Sequence, residues 1–271
     1  AGMTGLRAAL CQITSSDDIH ANARMVADAL DRAAAEGAGI ACLPEVANLV
    51  TFSRALQREA LGSEDADPVV SAAREAAARH GIWVAFGSAA VTCGDADGRL
   101  ANRSLMIDAE GGIAARYDKI HMFDVDVDGG ESYRESSRFR PGDRAVVVDT
   151  PWGRVGMAVC YDMRFPALAR ALAEAGAEVL LYPSAFTVPT GRAHWHVLLR
   201  ARAIETGCFV LAAAQTGTHP TPVSPGERER RTFGHSLAVG PWGEVLADAG
   251  EAPGVTVIDL DLSAVAKARA Q

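Results

Sequence analysis

Three residues of complementary chemistry follow short apolar runs or predicted strands of the chain: Glu45, Lys119 and Cys160. A free cysteine has a pKa of about 8.5, so it needs a base before it can act as a nucleophile. A carboxylate can be that base if burial raises its own pKa. A lysine ammonium can stabilise both the thiolate and the oxyanion that forms on an attacked carbonyl. Together the three residue types predict acyl transfer through a cysteine.

The elements that carry these residues decide whether they can meet. Cys160 ends an apolar run, which predicts a strand that stops at the thiol and turns into a helix, with backbone N–H groups facing the sulfur. Glu45 lies just past the predicted strand 40–43, and Lys119 follows the predicted hairpin strand 113–118. Each residue also has a purely structural interpretation, as a packed cysteine or as a charged surface side chain.

Strands and helices alternate along nearly the whole chain, which predicts α/β layering. Adjacent hairpins predict mixed rather than purely parallel sheets. Helices are expected from the cap at Asp17 or Asp18 to residue 35, from the Asp67 cap to the stop at Gly81, and over 167–175 and 192–205. The remaining predicted strands are 6–11, 82–91, 103–108, 145–149, 154–160, 179–182, 209–214, 236–239, 244–247 and 255–259.

The composition is that of a folded globular protein, with 271 residues, 49% of them hydrophobic, and a net charge of −8. Such a balance argues against nucleic acid or an anionic membrane as the main partner. The chain contains no internal repeat and no long linker, so we expect a single domain over 1–271. Ala1 and Gly2 ahead of Met3 resemble the scar of a cleaved tag.

The five cysteines form no CxxC pair and no zinc-type spacing, so a reducing compartment fits better than a disulfide framework. No targeting segment is visible, and no apolar run approaches the ~20 residues that a membrane span needs. These features predict a soluble, cytoplasmic protein.

Three segments of the chain, LPEVAN, YDKIHMFDVDV and GMAVCYDMRFP, resemble the three signature segments of the nitrilase superfamily of carbon–nitrogen hydrolases. Their order, glutamate then lysine then cysteine, also agrees. The resemblance runs from Leu6 to about Val265. It implies a four-layer α-β-β-α sandwich with mixed sheets and a homodimer or higher homo-oligomer, and it implies no metal and no cofactor.

The resemblance also implies a Glu–Lys–Cys catalytic triad made of Glu45, Lys119 and Cys160. It implies a further glutamate that hydrogen-bonds the site, matched by Glu135, with Glu131 as the alternative in the same loop. The backbone N–H of Tyr161 is expected to hold the oxyanion with Lys119.

The flanks of the cysteine, Cys-Tyr-Asp-x-Arg-Phe-Pro, resemble the Nit-type amidase branch, which includes omega-amidases and deaminated glutathione amidases. This implies an amidohydrolase that forms a thioester and releases ammonia from the terminal amide of a small carboxylate-bearing substrate. The substrate would be of the deaminated glutathione or 2-oxoglutaramate type. The alternatives are an N-carbamoyl or nitrile hydrolase of the same superfamily, or a catalytically idle binding domain.

Arg164 is the candidate for binding the substrate carboxylate, because a guanidinium matches a carboxylate bidentately. Its structural alternative is an ion pair with Asp162 or Glu205. Phe186 and Thr190 are further candidates for the pocket. The charged segment 218–231 is predicted to be an exposed loop, or alternatively a loop that covers the substrate.

A metal hydrolase is a rival from another class. It would use His194 and His196 with His121 and His235. Positions i and i+2 of a helix point about 200° apart, so the first two could not share one ion. A thiol-redox role is disfavoured because the sequence offers no evident resolving cysteine.

Two features depart from the pattern of the Nit-type subfamily. Arg192 stands where members often have proline, and the given sequence ends before the segment that crosses the dimer in relatives.

Overall fold

The computed structural model describes residues 5–127 and 130–271, so the suspected tag scar at Ala1 and Gly2 lies outside the described residues. Helices within this part are α1 Ile19–Ala35, α2 Arg54–Ala60, α3 Pro68–His80, α4 Pro166–Glu174, α5 Val188–Thr206 and α6 Ser263–Arg269. Strands are β1 Gly5–Gln12, β2 Ile40–Cys42, β3 Trp83–Thr92, β4 Leu100–Ile107, β5 Ile113–Asp118, β6 Asp124–Val127, β7 Glu131–Arg134, β8 Val146–Thr150, β9 Gly153–Met157, β10 Val179–Leu181, β11 Phe209–Ala212, β12 Thr216–Thr218, β13 Arg231–Phe233, β14 Leu237–Val239, β15 Val245–Asp248 and β16 Gly254–Asp261.

Two six-stranded mixed sheets form the centre of the fold. The first has the order β16-β1-β2-β3-β4-β5, and the second has the order β15-β14-β11-β10-β9-β8. Helices α1 and α3 pack on the outer face of the first sheet, and α4 and α5 pack on the second. The predicted four-layer α-β-β-α sandwich with mixed sheets is therefore confirmed.

Strand β1 illustrates why the layers form. Its residues alternate between two cores: Ala8 and Leu10 pack toward the second sheet, whereas Ala9 and Cys11 pack toward the helices. Side chains alternate along a strand, so a strand that is apolar at nearly every position must be covered on both faces. In this protein helices cover one face of the strand and the second sheet covers the other.

The caps that the sequence predicts are present. Asp18 accepts hydrogen bonds from the first backbone N–H groups of α1, and Asp67 does the same for α3. Gly81 ends α3 in the left-handed conformation, with φ of 63°. Short elements were missed, namely α2, α6 and the strand pairs β6–β7 and β12–β13, because runs of three to seven residues carry little periodic signal.

The carboxyl ends of the parallel strands meet at one edge of the sandwich. Strands β1, β2 and β3 are parallel to one another, as are β9, β10 and β11. A bridge between Ile13 and Gln215 joins the two sheets just beyond β1 and β11. Loops at this edge can therefore bring together side chains from both sheets, as is usual for sites in α/β folds. No helix in the described ranges is long and apolar enough to cross a membrane.

Candidate active site

Cys160 lies at a strained turn at this edge. The expected strand 154–160 is wrong at its end, because β9 stops at Met157 and Cys160 begins a 3-10 turn that runs to Arg164. Its φ of 49° is in the left-handed region, which a non-glycine residue adopts at a cost. The backbone N–H of Cys160 donates to the Pro183 carbonyl at 2.9 Å, and this bond holds the turn against the end of β10.

Asp162 ties this turn to the segment that carries Lys119. Its fully buried carboxylate accepts hydrogen bonds from the backbone N–H of Val159 at 2.9 Å, from the Tyr117 hydroxyl at 2.6 Å and from the backbone N–H of His121 at 3.1 Å. The cysteine turn and the end of β5 are thus fixed relative to each other. This positioning role was missed in the sequence, where Asp162 appeared only as a possible partner of Arg164.

Glu45, Lys119 and Glu135 form a buried ionic group, which we call the lysine cluster. Lys119 Nζ lies 2.9 Å from Glu45 Oε1 and 2.9 Å from Glu135 Oε2, and the lysine side chain is only 2% exposed. The second Glu45 oxygen accepts the backbone N–H of Ala185 at 3.0 Å. Glu135 also accepts the backbone N–H of Phe123 at 2.8 Å. The structure therefore brings together three of the predicted site residues beside Cys160.

The charges of the lysine cluster set the protonation of the site. Burial alone would raise the pKa of the Glu45 carboxyl, but the Lys119 ammonium outweighs burial and holds that pKa below its ordinary value of 4.5. Burial therefore does not raise the pKa of Glu45 overall, which was the condition named above for a carboxylate acting as the base. Burial, reinforced by the charge of Glu45, raises the pKa of the Cys160 thiol. At neutral pH the pair is a thiol beside a carboxylate.

Asn102 completes the hydrogen bonding of the cluster. It lies on β4, and its Nδ2 donates to Glu45 at 3.0 Å and to Glu135 at 3.3 Å. Its backbone carbonyl accepts the N–H of Lys119 at 2.9 Å. Its role was missed because a lone asparagine inside a strand carries no local motif, and only the pairing of β4 with β5 brings it to Lys119.

A cavity of about 270 Å³ opens above these residues. Its walls include the lysine cluster, Cys160, Tyr161, Phe186 and Thr190, so the two predicted pocket residues lie where they were expected. Phe123 and Tyr133 add aromatic walls. A cavity with a few charged groups and apolar walls is the usual form of a small-molecule site.

Arg164 is not among the residues that line this cavity. Its guanidinium lies over the rings of Tyr161 and Phe186 and contacts His194 Nδ1 at 3.0 Å. The ion pairs considered as its alternative are not found, because Glu205 pairs with Arg202 and the Asp162 carboxylate accepts hydrogen bonds from other groups. Four other arginines line the cavity instead: Arg54, Arg134, Arg138 and Arg230.

Comparisons with known proteins agree with this geometry. The carbon–nitrogen hydrolase family matches residues 7–270. A deaminated glutathione amidase of Yersinia enterocolitica is 38% identical over 270 residues, which are 99% of this chain and 91% of that protein. The chain belongs to the carbon–nitrogen hydrolase family.

Solved structures resemble this hydrolase over its full length. The crystal structure of the C. elegans NitFhit protein matches 100% of the chain with a TM-score of 0.89 and 36% identity, and the chain spans 64% of that protein. An amidase from Nesterenkonia sp. AN1 matches 98% of the chain, and the match covers 97% of the amidase, with a TM-score of 0.79 and 26% identity. That structure contains acrylamide added at the active site cysteine of the amidase.

Glu135, the first of the two candidate glutamates, contacts the lysine of the hydrolase. Both carboxylate oxygens of Glu135 lie within 3.0 Å of Lys119 Nζ. The side chain of Glu131 lies outside the described part of the structure. Arg192, the position where the subfamily often has proline, is exposed on α5 and is not part of the cavity wall.

The four histidines of the metal-hydrolase alternative do not meet. His121 contacts Asp162 at 2.7 Å, and His194 contacts Arg164. His196 and His235 instead share Asp248, at 2.8 and 2.9 Å, and we call these three residues the histidine cluster. Their ligand atoms all lie within 4.8 Å of one another, which would suit a metal ion. None of the three lines the cavity.

The other cysteines lie away from the cavity wall. Cys11, Cys42 and Cys208 are buried and Cys93 is half-buried, and all are free thiols, as is Cys160. Burial raises the pKa of Cys11 to about 12 and raises that of Cys208 as well. Unlike Cys160, these thiols do not line the cavity, so we assign the buried ones packing roles.

Proposed function

We propose that this hydrolase is a cysteine-dependent amidohydrolase that cleaves the carbon–nitrogen bond of a small linear amide carrying a carboxylate. The observation that supports the proposal is the thiol of Cys160 beside an ionised Glu45 and the Lys119 ammonium, at the wall of a cavity of about 270 Å³. The names of the relatives, deaminated glutathione amidase and amidase, support the same reaction class.

The first half of the reaction forms a thioester. Glu45 takes the thiol proton as the sulfur of Cys160 attacks the amide carbonyl carbon. Because the thiol pKa is raised and the Glu45 pKa is lowered, proton transfer accompanies attack instead of preceding it. The ammonium of Lys119 and the backbone N–H of Tyr161, in the first turn of the 3-10 segment, stabilise the oxyanion.

The second half releases both products. Glu45 donates its proton to the leaving nitrogen as the carbon–nitrogen bond breaks, and it then takes a proton from the water that attacks the thioester. The carbon–sulfur bond then breaks, the acid leaves, and the proton on Glu45 returns to the thiolate of Cys160. A primary amide yields ammonia and an acid. Glutathione has no primary amide, so a substrate derived from it would release an amine instead, and the expectation of ammonia applies only to primary amides.

Glu135 is proposed as a positioning residue. Its carboxylate accepts hydrogen bonds from Lys119 and from the backbone N–H of Phe123. Glu135 therefore orients the Lys119 ammonium and balances the charge of that ammonium. Phe186 and Thr190 are proposed to contact the substrate from the cavity wall. The machinery proposed here consists of protein side chains and one backbone N–H, without metal or cofactor, in a single domain.

We also propose that the hydrolase forms at least a homodimer. Exposed apolar side chains concentrate on α5 and on the β14–β15 hairpin: Val197, Ile204, Trp242, Val245 and Leu246. Exposed apolar side chains that form one patch mark interfaces, and we propose that these do. Light scattering after size exclusion should give twice the monomer mass, and a monomer at micromolar concentration would contradict it.

A substrate panel tests the reaction class. We expect turnover of primary amides of dicarboxylic acids with release of ammonia, and of substituted amides such as deaminated glutathione with release of the amine. Mass spectrometry of the quenched reaction should detect the acyl group on Cys160. Activity confined to nitriles or to carbamoyl amino acids would overturn the amidase proposal. A reactive thiol without any turnover would indicate a binding domain.

A further inference from the structure

We propose that Arg138 and Arg230 form the subsite that binds the carboxylate of the amide substrate. We call these two residues the arginine pair. The proposal rests on the proposed function, because it names how the amidase site would recognise its substrate. It replaces Arg164, whose guanidinium lies outside the cavity wall.

Arg230 is linked to Glu45 through the backbone of a single residue, Ala185. The carbonyl of Ala185 accepts Arg230 Nη2 at 2.7 Å, and the N–H of the same residue donates to Glu45 Oε2 at 3.0 Å. An anion bound by Arg230 would therefore lie close to Glu45 and Cys160. Such proximity suits a substrate whose carboxylate is separated from the amide by a short spacer.

One donor of Arg230 lacks an acceptor. Its Nε is buried and forms no hydrogen bond with any described residue. Leaving a buried charged donor unpaired is costly, and native proteins rarely tolerate it unless a ligand or water completes the bonding. Nε and one terminal nitrogen of a guanidinium form the fork that binds a carboxylate bidentately.

Arg138 supplies the second positive charge. Its Nη2 donates to the carbonyl of Phe52 at 2.9 Å, and its Nη1 lies 3.5 Å from Gln57 Oε1, so neutral oxygens hold it in place. Burial, followed by the charge of Arg54, lowers the pKa of its guanidinium. Positive groups crowded in this way are stabilised by a bound anion.

Local charge balance favours an anionic ligand. Glu45 and Glu135 both contact Lys119, and Arg134 forms an ion pair with Asp126 at 2.9 Å. Across residues 5–127 and 130–271, neither member of the arginine pair forms an ion pair with a carboxylate. The cavity is thus a positive region in a chain of net charge −8.

The test compares an anionic amide with a neutral one of the same length, namely succinamate (the monoamide of succinate) and butyramide. The wild type should prefer succinamate. The preference is the ratio of kcat/KM for succinamate to kcat/KM for butyramide. Arg230→Gln and Arg138→Gln should each lower this ratio by about 10- to 100-fold, the effect expected from losing a charge-assisted bidentate contact. Arg230→Lys should restore part of it. Assays at pH 8 keep Glu45 ionised in every variant.

Arg134→Gln is the matched control, because Arg134 also lines the cavity but its charge is balanced by Asp126. It should leave the preference for the anionic amide intact. An equal loss for both amides in the Arg230 variants, or collapse of the preference only in Arg164→Gln, would overturn the subsite. If the wild type hydrolyses neither amide, the proposed function fails; if it hydrolyses both equally well, the subsite alone fails.

Discussion

Two clusters of this hydrolase share one plan, in which a central ionisable group is held between two groups of the opposite kind. In the lysine cluster two carboxylates hold the ammonium of Lys119, and in the histidine cluster two imidazoles hold the carboxylate of Asp248. They differ in their surroundings. The Lys119 side chain is 2% exposed, whereas His196, His235 and Asp248 are 37%, 23% and 32% exposed.

Burial decides what each cluster can do. In the interior, charges interact strongly and an unpaired charge is costly, so the pKa of Lys119 is raised and that of Glu45 is held low. At the surface, water screens the charges and an ion pair contributes about 0–1 kcal/mol. The comparison teaches that the same pattern of contacts shifts pKa values strongly only where water is excluded.

The largest expected loss of activity comes from replacing the proposed nucleophile, Cys160, beside the lysine cluster. Cys160→Ala should reduce turnover of any amide substrate by about 10⁴-fold or more, because no thioester can form. Steady-state ammonia release measures this. Cys93→Ala is the matched control, since Cys93 lies outside the cavity wall, and it should keep full activity. Residual turnover above about 1% in Cys160→Ala would exclude the covalent mechanism.

Removing the central group from each cluster compares them directly. Lys119→Met leaves two buried carboxylates without their partner, so we expect a loss of about 3–5 kcal/mol in the free energy of unfolding and a loss of activity of about 10³-fold. Asp248→Asn, the equivalent change in the histidine cluster, should cost at most about 1 kcal/mol. Urea denaturation measures both, and equal costs would refute the distinction by burial.

A buried histidine extends the comparison to pH. His219 bonds to the Ser15 carbonyl and the Thr232 hydroxyl, and burial lowers its pKa from 6.5 to about 4. Between these two pKa values the unfolded chain binds a proton that the folded protein does not. The stabilisation that the neutral His219 allows is therefore fully present above pH 6.5 and is lost as the pH drops toward 4. His219 should account for a loss of up to about 3 kcal/mol over that range.

The quantity compared is the slope of the urea midpoint against pH, and the control is a variant of the histidine cluster. Urea midpoints between pH 7 and 4.5 should fall less steeply in His219→Gln than in the wild type. The slope of His196→Ala should match the wild type. A His219→Gln slope equal to that of the wild type would show that another group causes the acid sensitivity.

The smallest effect is expected from metal removal. The histidine cluster could hold an ion, but its residues lie outside the cavity wall. Treatment with a chelator and the variant His196→Ala should each change kcat/KM by less than about threefold. A larger loss with the chelator, restored by zinc, would make the histidine cluster part of the reaction.

Local signals made much of this fold predictable. Aspartates before helices and Gly81 after one set the bounds of α1 and α3 within a residue, because capping depends on neighbours only a few positions away. The order and flanks of Glu45, Lys119 and Cys160 identified the family for a similar reason. Each motif is short, and each lies beside the end of a strand.

The sequence by itself determined the layered α/β fold and the family, and it predicted the reacting residue types. Only the tertiary structure decided that Arg138 and Arg230 rather than Arg164 face the cavity, that Asn102 and Asp162 position the site, and that the pKa of Glu45 is lowered. The physical reason is that charge, burial and hydrogen bonding at a point depend on all the groups around it. These groups come together from both sheets, from positions far apart in the chain.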